Sequence, residues 1–535
     1  MKREVDEIGD KKTQIKIYDT TLRDGSQFEG ISFSLEDKIK IARKLDNIGI
    51  NYIEGGWPGS NPKDIEFFKK IKCEELRYST IAAFGSTRKP GLTVREDHNL
   101  QALLETKTKT ATLVGKSWDF HVEKALNTTR QENLNMVYDS ISYLKDQGME
   151  IFFDAEHFFD GYKNNPDYAL EVLQAAHKGG ADCVVLCDTN GGTLPWELET
   201  IVSEVRKFTT ASLGIHTHND CNCAVSNAIL AARLGCEQIQ GTINGYGERC
   251  GNADLCSIIP ILELKIGWEV LPAGHLQYLT ETSHYISELA NLTHYNHQPF
   301  VGYGAFAHKG GIHVSALLKD SSTYEHTSPE LVGNKRRVLV SELAGLSNIE
   351  FKAKEFNIDL DVDADKKQKA ISEIKVLENQ GFQFEGADAS LELYLRKALG
   401  EYEDFFSLDN FKVILEKSRK YDTISEAMIK LTINNQILHT AAEGEGPVNA
   451  LDNTLRKALL EVYPELSSMH LTDYKVRVLD GNVGTSAKVR VLIDSANEHY
   501  KWTTVGVSEN IIEASWQALV DSINYLLMKT KSKNL

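Results

Sequence analysis

The sequence predicts an α/β protein that begins with an eight-stranded TIM (β/α)8 barrel, followed by helical linker subdomains and a C-terminal α+β regulatory domain. Two observations predict the barrel. Over about 250 residues, a short β-branched or aromatic run followed by a segment of helical periodicity recurs eight times, which is typical of this fold. The unusual polar residues fall at the ends of the predicted strands, which meet at one mouth in a barrel but spread along an edge in a doubly wound sheet.

Each predicted strand is followed by a predicted helix. The strands are expected at 15–22, 52–56, 78–84, 110–114, 150–156, 183–188, 213–217 and 238–242. The helices are expected at 34–48, 63–72, 94–104, 119–146, 166–178, 195–208, 223–234 and 253–264. Ser34 with Asp37 predicts a capping box on the first helix, and Thr193 before Pro195 predicts the start of the sixth. We therefore place the barrel at 15–272.

The pattern changes after the barrel. A predicted helix at 273–292 opens a linker region, 273–422. In this region a glycine-rich stretch at 298–313 precedes mostly short polar helices at 327–395 and a charged stretch at 396–422.

The last region, 423–535, contains a weak repeat of alternating strands followed by a helix. A strand expected at 429–438 precedes a helix opened at 444–452, and strands expected at 474–479, 487–495 and 501–506 precede a helix opened at 506–514. Two ββα units packed together form a small α+β module. Because it has no catalytic constellation, we interpret it as a regulatory or dimerisation domain; the alternative is a structural appendage.

Composition and charge argue against nucleic-acid and membrane partners and favour a cytoplasmic location. The net charge of −17 argues against a nucleic-acid partner, which requires a basic face. No run of about 18 apolar residues occurs, so no membrane partner is expected. The charged segment 1–14 lacks the apolar core of a signal peptide, and eight cysteines without a CxxC pair predict reduced thiols. We therefore expect a cytoplasmic globular protein with a flexible tail at 1–14.

The stretch His216-Thr217-His218 ends the seventh predicted strand. Alternate residues of a strand point to the same face, so both imidazoles project together from the strand end. Two histidines so placed form half of a divalent-metal site. Asp24, after the first strand, offers a carboxylate, and Asn252, after the eighth, offers an amide oxygen. Because first and last strands are neighbours in a closed barrel, we expect these side chains to share one arc of the mouth.

Other residues at or beyond the strand ends suit substrate chemistry. Arg23 has two interpretations, which can both hold. It forms a structural ion pair with Glu54, or it supplies a fixed positive charge close to a carbonyl or enolate oxygen. Glu156 and Thr189 either cap the following helices or position a substrate in front of the metal. His313 lies in a glycine-rich stretch beyond the barrel, as a surface histidine or as a general base from another domain.

Four motifs occur in order on this framework: DTTLRDG at 19–25, IEGGWPGSNP at 53–62, HTHND at 216–220 and GYGERCGNADL at 245–255. Together they resemble the family of metal-dependent acyl-CoA condensing barrels that includes the citramalate, isopropylmalate and homocitrate synthases. WPGSNPKD and the overall layout are most similar to the longer citramalate synthases. The resemblance covers about residues 15–345 and the C-terminal module, which resembles the leucine- or isoleucine-sensing dimer domain of that family.

The resemblance implies a divalent metal ion, Mg, Mn or Zn, held by four ligands: Asp24, His216, His218 and Asn252. It implies that Arg23 is catalytic, that Glu54 holds Arg23 and Asp24 in place, and that Glu156 and Thr189 contact the 2-oxo acid. It also implies proton abstraction by His313 and a tyrosine, Tyr324, that reaches the site of a neighbouring subunit.

Two positions depart from the family pattern. Ser26 replaces a carboxylate that many relatives have. Val314-Ser315 follows His313 where many relatives have a polar pair that ends in Asp, so no base relay through that Asp is carried over to this chain.

The implied activity is a Claisen-type condensation of acetyl-CoA with pyruvate and thioester hydrolysis, in isoleucine biosynthesis, by a homodimer with an isoleucine or leucine effector. Three alternatives stay open: condensation with a larger 2-oxo acid, giving isopropylmalate or homocitrate; an acyl-CoA lyase; and a non-enzymatic amino-acid-binding protein with a degenerate barrel. The regulatory-type module argues against a lyase, because feedback control suits a committed biosynthetic step. The intact Asp/His/His set argues against a degenerate site.

Overall fold

The computed structural model of the chain describes residues 15–340, 346–358, 364–417, 423–479 and 487–533. The chain divides into two compact units. The first runs to Phe306 and includes Thr327–Lys335; the second consists of Ala307–His326 and the residues from Arg336 onward. Among the described residues, no helix combines the length and the apolar character that crossing a bilayer requires.

The first unit contains a closed barrel of eight parallel strands in chain order, as the sequence predicts. The strands are β1 (Lys16–Asp19), β2 (Tyr52–Gly56), β3 (Thr80–Ser86), β4 (Thr110–Lys116), β5 (Glu150–Glu156), β6 (Cys183–Asp188), β7 (Leu213–Thr217) and β8 (Gln238–Gly241). Pairing of β1 with β8 closes the barrel and sets Asp19 beside Gly241. The carboxyl ends of all eight strands therefore lie at one mouth.

Helices alternate with these strands, and three further helices belong to the described part of the unit: a second one after each of β4 and β5, and one at the end. The helices are α1 (Leu35–Ile48), α2 (Pro62–Ile71), α3 (His98–Thr106), α4 (Asp119–Lys124), α5 (Arg130–Asp146), α6 (Phe158–Asn164), α7 (Pro166–Lys178), α8 (Pro195–Phe208), α9 (Ala224–Arg233), α10 (Leu255–Ile261) and α11 (Leu279–Leu289). The capping box of Ser34 and Asp37 is confirmed. Thr193 is not a cap: its hydroxyl donates to Asp188 at 2.8 Å, and the helix begins after Leu194.

The prediction of one helix over 119–146 is wrong, because two helices, α4 and α5, occupy this stretch. Asn127 between them has a φ of +52°, a left-handed conformation that asparagine tolerates better than most residues. Thr129 then caps α5, its hydroxyl accepting a hydrogen bond from the Glu132 amide at 3.1 Å. The cap and the left-handed residue together end one helix and start the next.

The second unit contains a two-stranded pair, four helices of linker type and two sheet–helix layers. The first group comprises β9 (Ala307–His308), β10 (Arg337–Val338), α12 (Gly311–Lys319), α13 (Leu346–Glu355), α14 (Ala364–Asn379) and α15 (Asp388–Leu399). The layers comprise β11 (Ser407–Glu416), β12 (Ile424–Ile433), β13 (Gln436–Gly444) and α16 (Pro447–Leu459), then β14 (His470–Val478), β15 (Val489–Ala496), β16 (Lys501–Ser508) and α17 (Ile511–Lys533).

The predicted internal repeat is present, as two βββα units instead of ββα units. The three strands expected before the second helix are confirmed as β14, β15 and β16, whereas the first copy has three strands where one was expected. The strand expected at 429–438 is wrong. Asn434 and Asn435 both take positive φ and turn the chain between β12 and β13, the conformation that a two-residue hairpin requires. The first strand, β11, lies in the stretch that the sequence analysis assigned to the linker region.

Candidate active site

Three of the predicted metal ligands converge at the mouth of the barrel. Asp24 follows the turn after β1, and His216 and His218 lie at the end of β7. Asp24 Oδ2 is 3.3 Å from His216 Nε2 and 3.9 Å from His218 Nε2, and the two Nε2 atoms are 3.3 Å apart. All three residues are buried. One carboxylate oxygen and two imidazole nitrogens form a donor set that suits a divalent ion.

Asn252 completes this cluster from the side of β8. Its backbone pairs with His218 in an isolated bridge, and its Nδ2 lies 2.7 Å from Asp24 Oδ2. Within the described part of the chain, the buried Asn252 Oδ1 has no hydrogen-bond partner. The two ends of an amide are assigned from their neighbours, so half a turn of this group directs the unpaired oxygen to the cluster. The residue therefore fits the role of a fourth ligand.

The electrostatics of the cluster favour a bound cation. Burial, followed by the neighbouring His216, lowers the pKa of His218 to about 3, which keeps this imidazole neutral. Burial opposes ionisation of Asp24, but Arg23 and then His216 hold the pKa of this carboxyl well below its usual range. Burial lowers the pKa of His216, and the Asp24 carboxylate more than compensates, so the net shift is upward. A positive charge between Asp24 and His216 is therefore stabilised, which is the electrostatic condition that a bound divalent ion requires.

Arg23 is held on two sides. Its Nε donates to Glu54 Oε2 at 2.6 Å, and its guanidinium carbon lies 3.9 Å from the centre of the Phe84 ring. Glu54 is wholly buried in β2 and also accepts hydrogen bonds from the Tyr18 hydroxyl at 2.8 Å and from the Thr20 hydroxyl. This geometry places a fixed positive charge next to the Asp24 carboxylate, with Arg23 Nη1 at 3.6 Å from Asp24 Oδ1.

A cavity of about 560 Å³ lies in front of these groups. Its lining includes six of the predicted residues: Arg23, Asp24, Glu156, Thr189, His216 and His218. Glu156 pairs with Lys116 of β4. The Thr189 hydroxyl accepts a hydrogen bond from the His157 amide at 2.9 Å. Both side chains therefore lie in the cavity wall, where a bound substrate would contact them.

Sequence reasoning missed two buried polar residues beside this cluster, Asp154 of β5 and Gln240 of β8. Asp154 also lines the cavity, and burial, opposed by His216, raises the pKa of its carboxyl to about 7. The signal was available for Asp154, because Asp154 and Glu156 alternate on β5 as the two histidines do on β7. A signal was also available for Gln240, because it is a polar residue in a strand whose residues are all buried.

His313 and Tyr324 lie in the second unit. His313 is in α12, and its ring stacks on that of Tyr324 with the centres 4.2 Å apart. Glu325, next in the chain, is buried and accepts hydrogen bonds from Arg336 at 2.7 and 2.5 Å. The structure thus brings these two residues to each other, and their catalytic roles stay predictions.

Comparison with known families gives three matches that together span most of the chain. Residues 14–286 match a family described as HMGL-like. Residues 300–381 match the homocitrate synthase post-HMGL domain-like family, and residues 385–527 match the LeuA allosteric (dimerisation) domain.

Curated relatives cover the whole length. The chain is 57% identical over 518 residues to a protein of Geobacter sulfurreducens named (R)-citramalate synthase. The matched region covers 97% of this chain and 98% of that protein. It is 54% identical to an (R)-citramalate synthase of Aquifex aeolicus, with 98% and 99% covered. It is 32% identical to a 2-isopropylmalate synthase of Methanocaldococcus jannaschii, with 96% and 95% covered.

Proposed function

The chain belongs to the (R)-citramalate synthase family, and on this premise we propose that it condenses acetyl-CoA with pyruvate and hydrolyses the thioester to give citramalate and CoA. The observation that carries the proposal is the Asp24, His216 and His218 cluster beside Arg23 in the barrel cavity. Identities of 54–57% to citramalate synthases, against 32% to a 2-isopropylmalate synthase, favour pyruvate over a larger 2-oxo acid.

We propose that Asp24, His216 and His218 hold a divalent metal ion, with Asn252 as the fourth protein ligand. Bound there, the ion supplies Lewis-acid polarisation of the keto group of the 2-oxo acid. Mixed nitrogen and oxygen donors suit Mg, Mn or Zn. The unpaired Asn252 oxygen and the low pKa of His218 support this assignment, because a ligand must offer a free lone pair.

Arg23 stabilises the negative charge that develops on oxygen as the acetyl enolate adds to the keto carbon. A guanidinium fixed in the cavity wall is effective, because its orientation costs nothing at the moment of reaction. Glu54 is a positioning residue that keeps Arg23 in this orientation. Glu156 and Thr189 hold the 2-oxo acid in the cavity wall.

The reaction needs a base for one methyl proton of acetyl-CoA. We propose His313 for this step and Tyr324 as a contribution to the site of a neighbouring subunit, on the resemblance of their motifs. The methyl proton moves to the base and the carbon–carbon bond forms. The keto oxygen takes up one proton to end as a hydroxyl, which balances the proton removed from the methyl group. Water then cleaves the thioester and CoA leaves as the thiol, which makes the overall step irreversible.

The C-terminal part belongs to a domain type that dimerises and binds regulators, given its match to the LeuA allosteric (dimerisation) domain. We propose that the chain forms a homodimer and that isoleucine or leucine is its effector at this domain. A place in isoleucine biosynthesis and a cytoplasmic location stay predictions from the sequence.

A substrate comparison tests the proposed reaction. CoA thiol release is followed with acetyl-CoA and, in turn, pyruvate, 2-oxobutyrate, 2-oxoisovalerate or 2-oxoglutarate. We expect the highest kcat/KM with pyruvate and no release without a 2-oxo acid. A preference for 2-oxoisovalerate or 2-oxoglutarate contradicts the proposal in favour of isopropylmalate or homocitrate synthesis. Cleavage of an acyl-CoA adduct without condensation identifies a lyase.

A further inference from the structure

His216 is connected to two further buried side chains across the inside of the barrel. His216 Nδ1 lies 2.9 Å from Gln240 Oε1, and Gln240 Nε2 donates to Asp154 Oδ1 at 2.9 Å. The three residues lie on β7, β8 and β5 and are 5%, 1% and 4% exposed, respectively. Neither Gln240 nor Asp154 lies in the motifs that identify the metal ligands.

This relay, His216–Gln240–Asp154, has a fixed polarity. At about pH 8, where the Asp154 carboxyl is ionised, it only accepts hydrogen bonds, so Gln240 must direct its NH2 group to Asp154. The second hydrogen of that group reaches Gln238 Oε1 at 3.3 Å, which fits the same orientation. The amide oxygen of Gln240 therefore faces His216, and an oxygen acceptor requires a hydrogen on Nδ1.

The direction of these hydrogen bonds decides which ring nitrogen of His216 keeps a lone pair for a metal ion. With the hydrogen on Nδ1, Nε2 keeps its lone pair on the side of Asp24, 3.3 Å from the carboxylate oxygen. If the Gln240 amide were reversed, its NH2 would require a lone pair on Nδ1, and Nε2 would carry the hydrogen that blocks metal binding. The ring plane is fixed as well, because Gln240 is itself held at both ends of its amide.

We propose that Asp154 and Gln240 are positioning residues that fix the tautomer and the ring orientation of His216 for metal binding. The inference rests on the proposed metal-dependent function and adds the residues that make one ligand competent. Removing an outer partner of a ligating histidine typically weakens metal affinity about 10–100-fold.

The test is a Mn²⁺ titration of the metal-free full chain at about pH 8, with free Mn²⁺ measured by its EPR signal. We expect Gln240→Leu to raise the Kd about 10–100-fold, and Asp154→Asn to raise it as well, because Asn accepts either orientation of Gln240. Asn227→Leu is the matched control. Asn227 is a buried amide of α9 that donates to the Thr193 carbonyl oxygen at 2.7 Å, outside the relay, so we expect a Kd within about twofold of the wild type.

A double variant, Asp154→Asn with Gln240→Glu, exchanges the carboxylate and the amide without changing their sizes. The carboxylate at 240 accepts from His216 Nδ1, and the amide at 154 donates to that carboxylate, so the hydrogen stays on Nδ1. We expect this variant to bind Mn²⁺ at least tenfold more tightly than Gln240→Leu. A change that merely disturbed packing would not be rescued by the exchange.

Two outcomes overturn the proposal: a Kd unchanged in both Gln240→Leu and Asp154→Asn, or a double variant as weak as Gln240→Leu. If Gln240→Leu does not fold, as judged by its circular dichroism, the two isosteric variants decide the question alone. A wild type that binds no Mn²⁺ in the same titration overturns the proposed metal-dependent function instead, so the two failures are distinguishable.

Discussion

Replacing Glu54 by Gln removes the charge that fixes Arg23 and leaves the shape of the site unchanged. Glu54 Oε2 accepts hydrogen bonds from Arg23 Nε at 2.6 Å and from the Thr20 hydroxyl, and Oε1 accepts from the Tyr18 hydroxyl at 2.8 Å. A glutamine can retain all three contacts, because Tyr18 can donate to Thr112, 2.7 Å away, and accept from the new NH2 group. What the variant loses is the ionic part of the two bonds to Oε2.

The size of this loss follows from the two bonds. A buried hydrogen bond to a charged group contributes about 1.5–3 kcal/mol and about half of that when neutral. Two such bonds therefore lose about 1.5–3 kcal/mol together. If this loss is expressed in the orientation of Arg23 at the transition state, kcat/KM falls about 10–150-fold, at about 1.4 kcal/mol for each factor of ten.

The assay combines CoA thiol release from acetyl-CoA and pyruvate with denaturant unfolding followed by tryptophan fluorescence. Glu74→Gln is the control, since it breaks an exposed ion pair with Arg43 on the outside of the barrel, and we expect both measurements to stay at the wild-type values. A Glu54→Gln variant with wild-type kcat/KM would refute the positioning of Arg23 by Glu54.

Three further predictions concern acid–base behaviour, proton transfer and local stability. Burial, opposed by His216, raises the pKa of Asp154 to about 7 from about 4 in the unfolded chain, so the folded protein keeps a proton that the unfolded chain loses and stability falls across this pH window. Asp154→Asn removes this pH dependence. The melting temperature of the variant minus that of the wild type should therefore increase between about pH 4 and about pH 7, and a constant difference contradicts the assignment. His313→Asn should lower kcat at least tenfold with the Mn²⁺ Kd unchanged, and a normal kcat excludes His313 as the base. Thr129→Ala should cost about 1 kcal/mol of unfolding free energy through loss of the α5 cap, with Thr128→Ala as the control; equal losses contradict the role of the cap.

The barrel and the convergence of Asp24, His216 and His218 could be predicted because each leaves a local pattern in the sequence. Strand and helix periodicities alternate eight times, and parallel strands close into a barrel in chain order without further information. His216 and His218 project from one strand end because of the alternation within a strand, and Asp24 joins them because β1 and β8 are neighbours.

The missed features depend on single residues or on contacts across the barrel. Asn127 and Thr129 break a helix whose apolar periodicity is otherwise continuous, and the Asn434-Asn435 turn divides a run that looks like one strand. Asp154 and Gln240 lie on β5 and β8, which are not neighbours, so no local pattern joins them. Buried polar residues in barrel strands need to be considered as possible partners of the residues at the mouth.

Metal removal tests the central claim of a metal-dependent condensation at Asp24, His216 and His218 most directly. CoA thiol release from acetyl-CoA and pyruvate is measured for the wild type and His218→Ala after chelation and during stepwise addition of Mn²⁺. We expect the chelated wild type to lose CoA release and to regain it as Mn²⁺ is added, and His218→Ala to stay inactive at the same concentrations. Full CoA release by the chelated wild type, or by His218→Ala, would contradict the claim.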